Sequence, residues 1–261
     1  MKVGVVGVGV VGGACKFGFE LIGHNVSVHD IAQDTELKDV LDTEVVYICV
    51  PTPRADDGSC DVTIVREVIL GLKELGYGGV IAIKSTVVPG TTESLRKETG
   101  LNVCFVPEFL RERCAITDFT ENHDVCIIGC SDNDTYKLIK ECHGSLPEKF
   151  VRLTHAEAEF CKYFNNVYNA MLIIFANSFY EACKLNGVNY ANVKNAVVNR
   201  KHIAGSYLEC NDNFRGFGGM CLPKDVSAMA KLMEDTDVDF FDDLLDENSK
   251  YRVTVFKGMR K

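Results

Sequence analysis

Short apolar runs alternate with amphipathic stretches from the first residue to Leu153, and the spacing predicts strands and helices in turn. Lys2–Val6 reads as a buried strand. It runs into the glycine-rich turn Gly7-Val8-Gly9-Val10-Val11-Gly12 and then a helical pattern through Leu21. Further strands are predicted at 25–29, 44–50, 79–83, 102–106, 124–129 and 149–153. Helical spacing fills 61–75, where Asp61 is placed to cap, and 132–142. Strand–helix alternation of this kind predicts an α/β fold with a doubly wound, mostly parallel (Rossmann) sheet.

At Thr154 the pattern changes to helices. Thr154–Lys184 holds no Gly or Pro, and Thr154 with Glu157 forms a capping box. Met171 to Phe175 is apolar all round, which predicts a helix buried on several sides. Two shorter helices are expected at 189–199 and 223–233. The expected division is a dinucleotide-binding domain over 1–153 and an all-helical catalytic and dimerisation domain over 154–261.

Composition narrows the function. The formal charge is −9, but eight acidic residues without a Lys or Arg lie between Glu234 and Glu247, leaving the remainder near neutral. No basic patch offers itself to nucleic acid or to an anionic membrane, and no apolar run is long enough to span a bilayer. Twelve cysteines are scattered through apolar runs with no Cys-x-x-Cys pair. They read as reduced thiols of a cytoplasmic protein, with no metal site. The apolar start from Val3 to Ala14 carries five glycines and is read as part of the fold, not as a signal sequence.

The glycine turn has the strand, G-x-G-x-x-G, helix order of a dinucleotide site: a tight turn, a close backbone approach, then a helix packed hard on its strand. Asp30 ends the second strand, where a carboxylate is expected to bond the adenosine ribose and to favour NAD over NADP. Thr52, Thr86 and Glu108/Glu112 follow predicted strands on the side where such sheets bind ligands. Near the other end stands Gly216-Phe217-Gly218-Gly219-Met220-Cys221-Leu222-Pro223-Lys224-Asp225. The glycines admit a ligand, and Pro223 suits a first helical turn. Cys221 then lies at a helix start with Lys224 and Asp225 close by, a nucleophile with helpers. Lys162 and Asn166 are four residues apart on the long helix and share a face.

These motifs, in this order, resemble the UDP-glucose/GDP-mannose dehydrogenase family from Met1 to about Asn248. Gly-x-Gly-Gly-x-Cys-x-Pro-Lys-Asp is similar to its active-site segment, and Glu159-Phe160-Cys161-Lys162-Tyr163-Phe164-Asn165-Asn166 to its Glu-x-x-Lys-Tyr-x-x-Asn pattern. Lys84-Ser85-Thr86-Val87-Val88-Pro89-Gly90 and Pro107-Glu108-Phe109-Leu110-Arg111-Glu112 match its turn and its substrate loop. The resemblance implies two NAD-dependent oxidations of a nucleotide-sugar C6 alcohol. It implies catalytic roles for Cys221, Lys162, Asn166, Asp225, Thr86 and Glu112. The cofactor would meet Gly7 to Gly12, Asp30, Thr52, Thr86, Glu112 and Lys224. The sugar would meet Glu108, Phe109, Leu110, Arg111, Glu112, Lys162, Asn166, Asn213, Phe214 and Gly218. UDP-glucose is the first expected substrate and GDP-mannose the second, with a homodimer formed through the central helices.

The family continues into a third, nucleotide-gripping domain, and this chain ends after what resembles the central dimer helix, Val238 to Phe256. A natural minimal version and a fragment both fit that ending. Arg200 to Asn213 follows the family poorly, and no role is carried onto it. Two other classes fit parts of the pattern. One is a hydroxyacid dehydrogenase whose lysine works without a cysteine; the other is a dinucleotide-binding remnant without catalysis.

Overall fold

A computed structural model describes residues 1–252; the expected helix from Val238 therefore lies partly outside the described residues. The chain divides into two compact units, Met1–Pro53 with Cys60–Lys162, and Arg54–Ser59 with the chain from Tyr163 onward.

The first unit is built on one sheet. Its strands are β1 (Lys2–Val6), β2 (Asn25–His29), β3 (Val45–Ile48), β4 (Val80–Ile83), β5 (Val103–Phe105), β6 (Val125–Gly129) and β7 (Lys149–Leu153), in the order β2-β1-β3-β4-β5-β6-β7. Neighbours from β2 to β5 are parallel; β6 meets β5 antiparallel, at Phe105 and Gly129, and β7 is parallel to β6. The sheet is thus mostly parallel as expected, with its last two strands reversed. Between strands lie α1 (Val10–Leu21), α2 (Thr63–Glu74), α3 (Thr91–Thr99), α4 (Ala115–Thr120) and α5 (Asn133–His143).

The period-two alternation of each strand sorts its side chains into two cores. Val3, Val5, Val45, Tyr47, Val80, Ala82 and Cys104 face one core, shared with Ala14, Cys15 and Phe19 of α1. Val46, Ile48, Ile81, Ile83, Val103 and Phe105 face the other, with Val65, Ile69 and Leu72 of α2. Each fully buried Val or Ile contributes roughly 1.5–3 kcal/mol relative to exposure, so the two faces together fix the strand order and register. Asp61, expected to cap α2, stands one residue too early: Val62 is the N-cap, without a side-chain cap bond, and Asp61 accepts from the Thr63 amide at 2.8 Å. Asp132 accepts from the Thr135 amide at 2.7 Å and caps α5.

The long helix α6 (His155–Leu185) starts in the first unit and continues in the second. The capping box is formed: Glu157 accepts from the Thr154 amide at 2.8 Å and from its hydroxyl at 2.7 Å. In the second unit follow α7 (Tyr190–Val197), α8 (Leu222–Met233) and α9 (Phe240–Ser249), with α8 packed on α9. A small core of Ala176, Tyr190, Leu208 and Cys210 joins α6, α7 and the segment after it. The apolar run Met171 to Phe175 is covered on several sides: Ile174 is buried, Met171, Leu172 and Ile173 are half-buried, and Phe175 is 52% exposed. Of the expected helix Val238 to Phe256, the described residues hold α9, which closes at Ser249 with Lys250 as its cap.

Candidate active site

In the first unit, the glycine turn lies where the strand order changes direction, between β1 and β3, the position at which doubly wound sheets open a crevice. Gly7 has φ +86°, and a Cβ there would stand 2.7 Å from the Cys49 carbonyl oxygen. A Cβ on Gly12 would stand 1.8 Å from the Gly7 carbonyl oxygen, so α1 packs on its strand with no room for any side chain. At Gly9 a Cβ would meet nothing within 4 Å. That opening, at the residue that caps α1 without a side chain, leaves the helix N-terminus to a phosphate.

Asp30 completes this corner. One oxygen accepts from the Val8 amide at 2.6 Å and the other from the Ala32 amide at 2.8 Å. Bonds from the Ala32 and Val8 amides hold its carboxyl below the usual range, so it is ionised near neutral pH. The residues fit a dinucleotide: open backbone at Gly9, amides at the helix start, and a fixed, half-buried carboxylate at the end of β2.

The loops after β3, β4 and β5 carry the other candidates of this unit. Thr52 and Thr86 are tied through Cys60, whose thiol reaches the Thr86 carbonyl at 3.3 Å and the Thr52 carbonyl at 3.9 Å. Lys162 is 4% exposed, and its ammonium donates to both the carbonyl (2.7 Å) and a carboxylate oxygen (2.9 Å) of Glu108. The other Glu108 oxygen accepts from the Leu110 amide at 2.7 Å. Phe109 presents its ring 5.8 Å from the same ammonium. Lys162 and Glu108 are thus brought together, whereas Arg111 turns to Asp118 in a bidentate pair of 2.6 and 2.9 Å. Glu112 stands exposed at the start of a short 3₁₀ turn.

In the second unit, Cys221 occupies the N-cap of α8, exposed, with Pro223 in the first turn. Its carbonyl accepts from the Asp225 amide at 2.9 Å. The Asp225 side chain is fully buried; it accepts from the Asn166 amide group at 2.5 Å and pairs with the Lys224 ammonium. The sequence suggested Lys224 as a cofactor contact; in this unit its ammonium is joined to Asp225. The glycine loop before Cys221 is pinned at two points. The Gly216 amide donates to Asn177 at 3.2 Å, and Phe217 exchanges hydrogen bonds of 2.8 and 3.0 Å with Asn248. Gly216 and Gly219 take positive φ, 61° and 78°, so these two glycines are required by conformation. Asn213 and Phe214 lie in a tight turn closed against Asn211, and Gly218 is half-buried beside them in sequence.

Sequence reasoning passed over Asn177, Asn248 and Asp118. Asn177 and Asn248 hold a loop 39 and 31 residues away, which no local spacing marks, and Asp118 holds Arg111 seven residues back. Glu159, quoted only as part of a motif, is fully buried and closes the start of α3: it accepts from the amides of Gly90 (2.6 Å) and Thr92 (2.8 Å) and from the Thr92 hydroxyl (2.6 Å). Burial pushes its carboxyl up against the effect of those bonds.

The sheet order and the glycine turn define a dinucleotide-binding protein of the Rossmann class. The chain belongs to the UDP-glucose/GDP-mannose dehydrogenase family: residues 32–146 match that family's NAD binding domain and residues 156–250 its central domain. The first match begins just after the glycine turn and Asp30, which the geometry supplies. Similar curated proteins include the UDP-glucose 6-dehydrogenase AglM of Haloferax volcanii, 28% identical over 88% of this chain and 64% of its own length. The GDP-mannose 6-dehydrogenase of Pseudomonas aeruginosa is 33% identical over 77% of this chain and 49% of its own. Among solved structures, a UDP-glucose dehydrogenase from Pyrobaculum islandicum superposes with a TM-score of 0.86 at 28% identity, covering 95% of this chain and 68% of that one. The chain spans about half to two thirds of the length of these curated relatives.

Proposed function

We propose that this chain carries out NAD-dependent oxidation of a nucleotide-sugar C6 alcohol to the carboxylate, with UDP-glucose giving UDP-glucuronate. The observation that carries the reading is the start of α8. An exposed thiol sits at the helix N-cap, one turn from a fully buried carboxylate that is bonded by Asn166 and Lys224. A helix N-terminus favours the thiolate that such chemistry needs.

NAD, when bound at the glycine turn, would accept one hydride in each oxidation, so two NAD would be used in turn. The chain's own residues do the rest. Asp225 and Thr86 hold the water that takes the alcohol proton. Cys221 adds to the aldehyde carbon as a thiohemiacetal, which keeps the aldehyde from escaping and becomes a thioester after the second oxidation. Water polarised by Asp225 and Glu112 adds to the thioester carbon, and Cys221 leaves as a thiolate. Lys162 and Asn166 stabilise the oxyanions of both tetrahedral species, a role whose loss costs roughly 2–4 kcal/mol. Glu108 to Glu112, with Asn213, Phe214 and Gly218, hold the sugar and its phosphates. A second copy of the chain pairs along α6, where Phe164, Tyr168, Phe175 and Phe179 stand exposed on one stripe.

GDP-mannose is the second reading, since the GDP-mannose enzyme described above is among the similar proteins. The test follows NADH by absorbance on adding UDP-glucose or GDP-mannose to the protein with NAD. Two NADH per sugar are expected from one of them, and Cys221→Ser should stop the second oxidation. NAD binding without NADH from either sugar would leave a dinucleotide-binding protein and end the enzymatic reading. Full turnover by the Cys221→Ser variant would remove the covalent step alone.

A further inference from the structure

Glu159 is fully buried, and the reaction assigned above does not use it. Its carboxylate accepts from the Gly90 amide at 2.6 Å, from the Thr92 amide at 2.8 Å and from the Thr92 hydroxyl at 2.6 Å, all neutral donors at the start of α3. Taking a carboxylate out of water without a cation among its partners is costly, and a cap local to α3 would avoid it. The chain supplies no such cap. Gly90 stands at the N-cap with φ +96°, a conformation that favours glycine over any capping side chain. Thr91 turns its hydroxyl back to the Val88 carbonyl at 2.5 Å. The cap comes instead from 69 residues further along the chain, and it joins α3 to α6 as well as closing it.

Lys162 follows on the same side of α6, three residues and about 4.5 Å further on. Its ammonium holds the Glu108 carbonyl at 2.7 Å and the Glu108 carboxylate at 2.9 Å. Strands β4 and β5 are neighbours in the sheet. The loop that leaves β4 is thus fastened to α6 by Glu159, and the loop that leaves β5 by Lys162, one turn apart. The β4 loop is also held where it begins. The Lys84 and Ser85 amides donate to the Ile48 carbonyl at 2.9 and 3.1 Å, the Ser85 hydroxyl to the Val50 carbonyl at 2.7 Å, and the Cys60 thiol to the Thr86 carbonyl at 3.3 Å. Only Val87, Val88 and Pro89 lie between these anchors and the Gly90 amide that Glu159 holds.

We propose that Glu159 is a positioning residue for the oxidation: its hold on α3 sets the separation between the Thr86 turn and the Lys162 ammonium. The proposal rests on the reading of Thr86 and Lys162 as members of the active site. Without the carboxylate, α3 loses its cap and the turn is anchored at its beginning alone. Helix α6 then keeps the Thr154 cap and the bond from Lys162 to Glu108, neither of which refers to β4. The water held by Thr86 and the oxyanion held by Lys162 no longer meet the reacting carbon from set directions. A displacement of about 1 Å from a productive arrangement costs about a hundredfold in rate. The glycine turn follows β1, two strands away from β4 in the sheet, so dinucleotide binding there does not depend on Glu159.

The test compares Glu159→Gln, Glu159→Ala and Leu95→Ala in the whole protein. Gln keeps the reach of the side chain but turns one accepting oxygen into a donor that faces an amide. Leu95→Ala opens a cavity under α3 and leaves the tether alone. The measurements are NAD affinity by calorimetry, kcat for NADH formation from UDP-glucose or GDP-mannose, and the Lys162 Cε signal in carbon NMR, assigned by its loss in Lys162→Met. The Phe109 ring, 5.8 Å from the ammonium, makes that signal sensitive to position. Both Glu159 variants should lose about tenfold to a hundredfold in kcat, keep the NAD affinity of the parent, and move the Lys162 signal. Leu95→Ala should lower the melting temperature while keeping kcat and the signal. Gln alone carries the comparison if Ala does not fold. Parental kcat or an unmoved Lys162 signal in Glu159→Gln overturns the proposal, as does an equal loss of kcat in Leu95→Ala, which would make the effect one of stability. A parent that binds NAD yet makes no NADH from either sugar ends the enzymatic reading and the catalytic half of this proposal, while the Lys162 signal still decides whether Glu159 holds the ammonium in place.

Discussion

Replacing Asn166 by Asp sets two buried carboxyl groups against each other. Asp225 is fully buried and now accepts from the Asn166 amide group at 2.5 Å. In Asn166→Asp that donor becomes an acceptor. Two carboxylates about 3 Å apart repel by about 5 kcal/mol at an effective dielectric constant of about 20. The protein has a less costly option, which is to keep one proton on the pair. Holding a proton at pH 7 on a group that would ordinarily lose it near pH 3.9 costs about 4 kcal/mol, at 1.36 kcal/mol per unit. The smaller figure governs, and Lys224, already paired with Asp225, offsets part of it. The expected loss of stability at pH 7 is therefore about 3–4 kcal/mol. The variant's folded state binds a proton that its unfolded state releases above pH 3.9. The deficit should thus shrink by about 1.4 kcal/mol per unit as pH falls from 7 toward 4. Asn166→Ala is the control: it removes one hydrogen bond to a charged group, about 1.5–3 kcal/mol, with no new titration. Urea unfolding of both variants at pH 7, 6 and 5 makes the comparison. A deficit for Asn166→Asp that does not change with pH, or a variant as stable as the parent, would refute a buried Asn166–Asp225 bond.

Two further outcomes follow from the first unit. Gly12→Ala should fail to fold or lose more than about 3 kcal/mol, since its methyl would overlap the Gly7 carbonyl oxygen at 1.8 Å; expression level and circular dichroism decide it, and a folded variant that binds NAD normally would show that the turn has slack. Burial, and then the nearby Lys84 charge, lower the His123 pKa to about 4, so its folded form resists a proton that the unfolded chain takes up below pH 6.5. The stability it contributes is whole above pH 6.5 and is lost as pH falls toward 4, on the order of 3 kcal/mol in all; His123→Gln should flatten that part of the profile, and an NMR titration placing the imidazole near 6.5 would contradict it.

The strands and the long helix were legible because their side chains obey one period over their whole length. Val45–Ile48 and Val80–Ile83 are β-branched or apolar at every position, and Thr154 with Glu157 marked the start of α6 to the residue. Helix α3 was not expected, because Thr91–Thr99 is mostly polar and buries only Thr92, Leu95 and Thr99. What starts it is Glu159, far along the chain. The reversal of β6 and β7 was equally hidden: alternation says which face a residue takes and nothing about which way its strand runs. The candidate site divides in the same manner. The glycine turn, Asp30 and Cys221 announce themselves by residue type and spacing. The bonds around the thiol, Asn248 on Phe217 and Asn166 on Asp225, depend on tertiary approach and leave no local trace.

The reversal of the last two strands makes the opening of α6 a measuring rod. Because β7 runs against the first five strands, the helix departs from the far rim of the sheet and climbs back toward the rim that carries Glu108. Its first two turns are clamped at both ends, by the Thr154 cap below and by the grip of Lys162 on Glu108 above, with Glu159 fastened to the start of α3 on the way. Each added or deleted residue there would swing everything beyond it by about 100° and shift it by about 1.5 Å. Only the exposed positions between these clamps, Glu157 of the cap excluded, tolerate replacement freely; a change of length would spin the ammonium away from its carboxylate and undo both attachments at once.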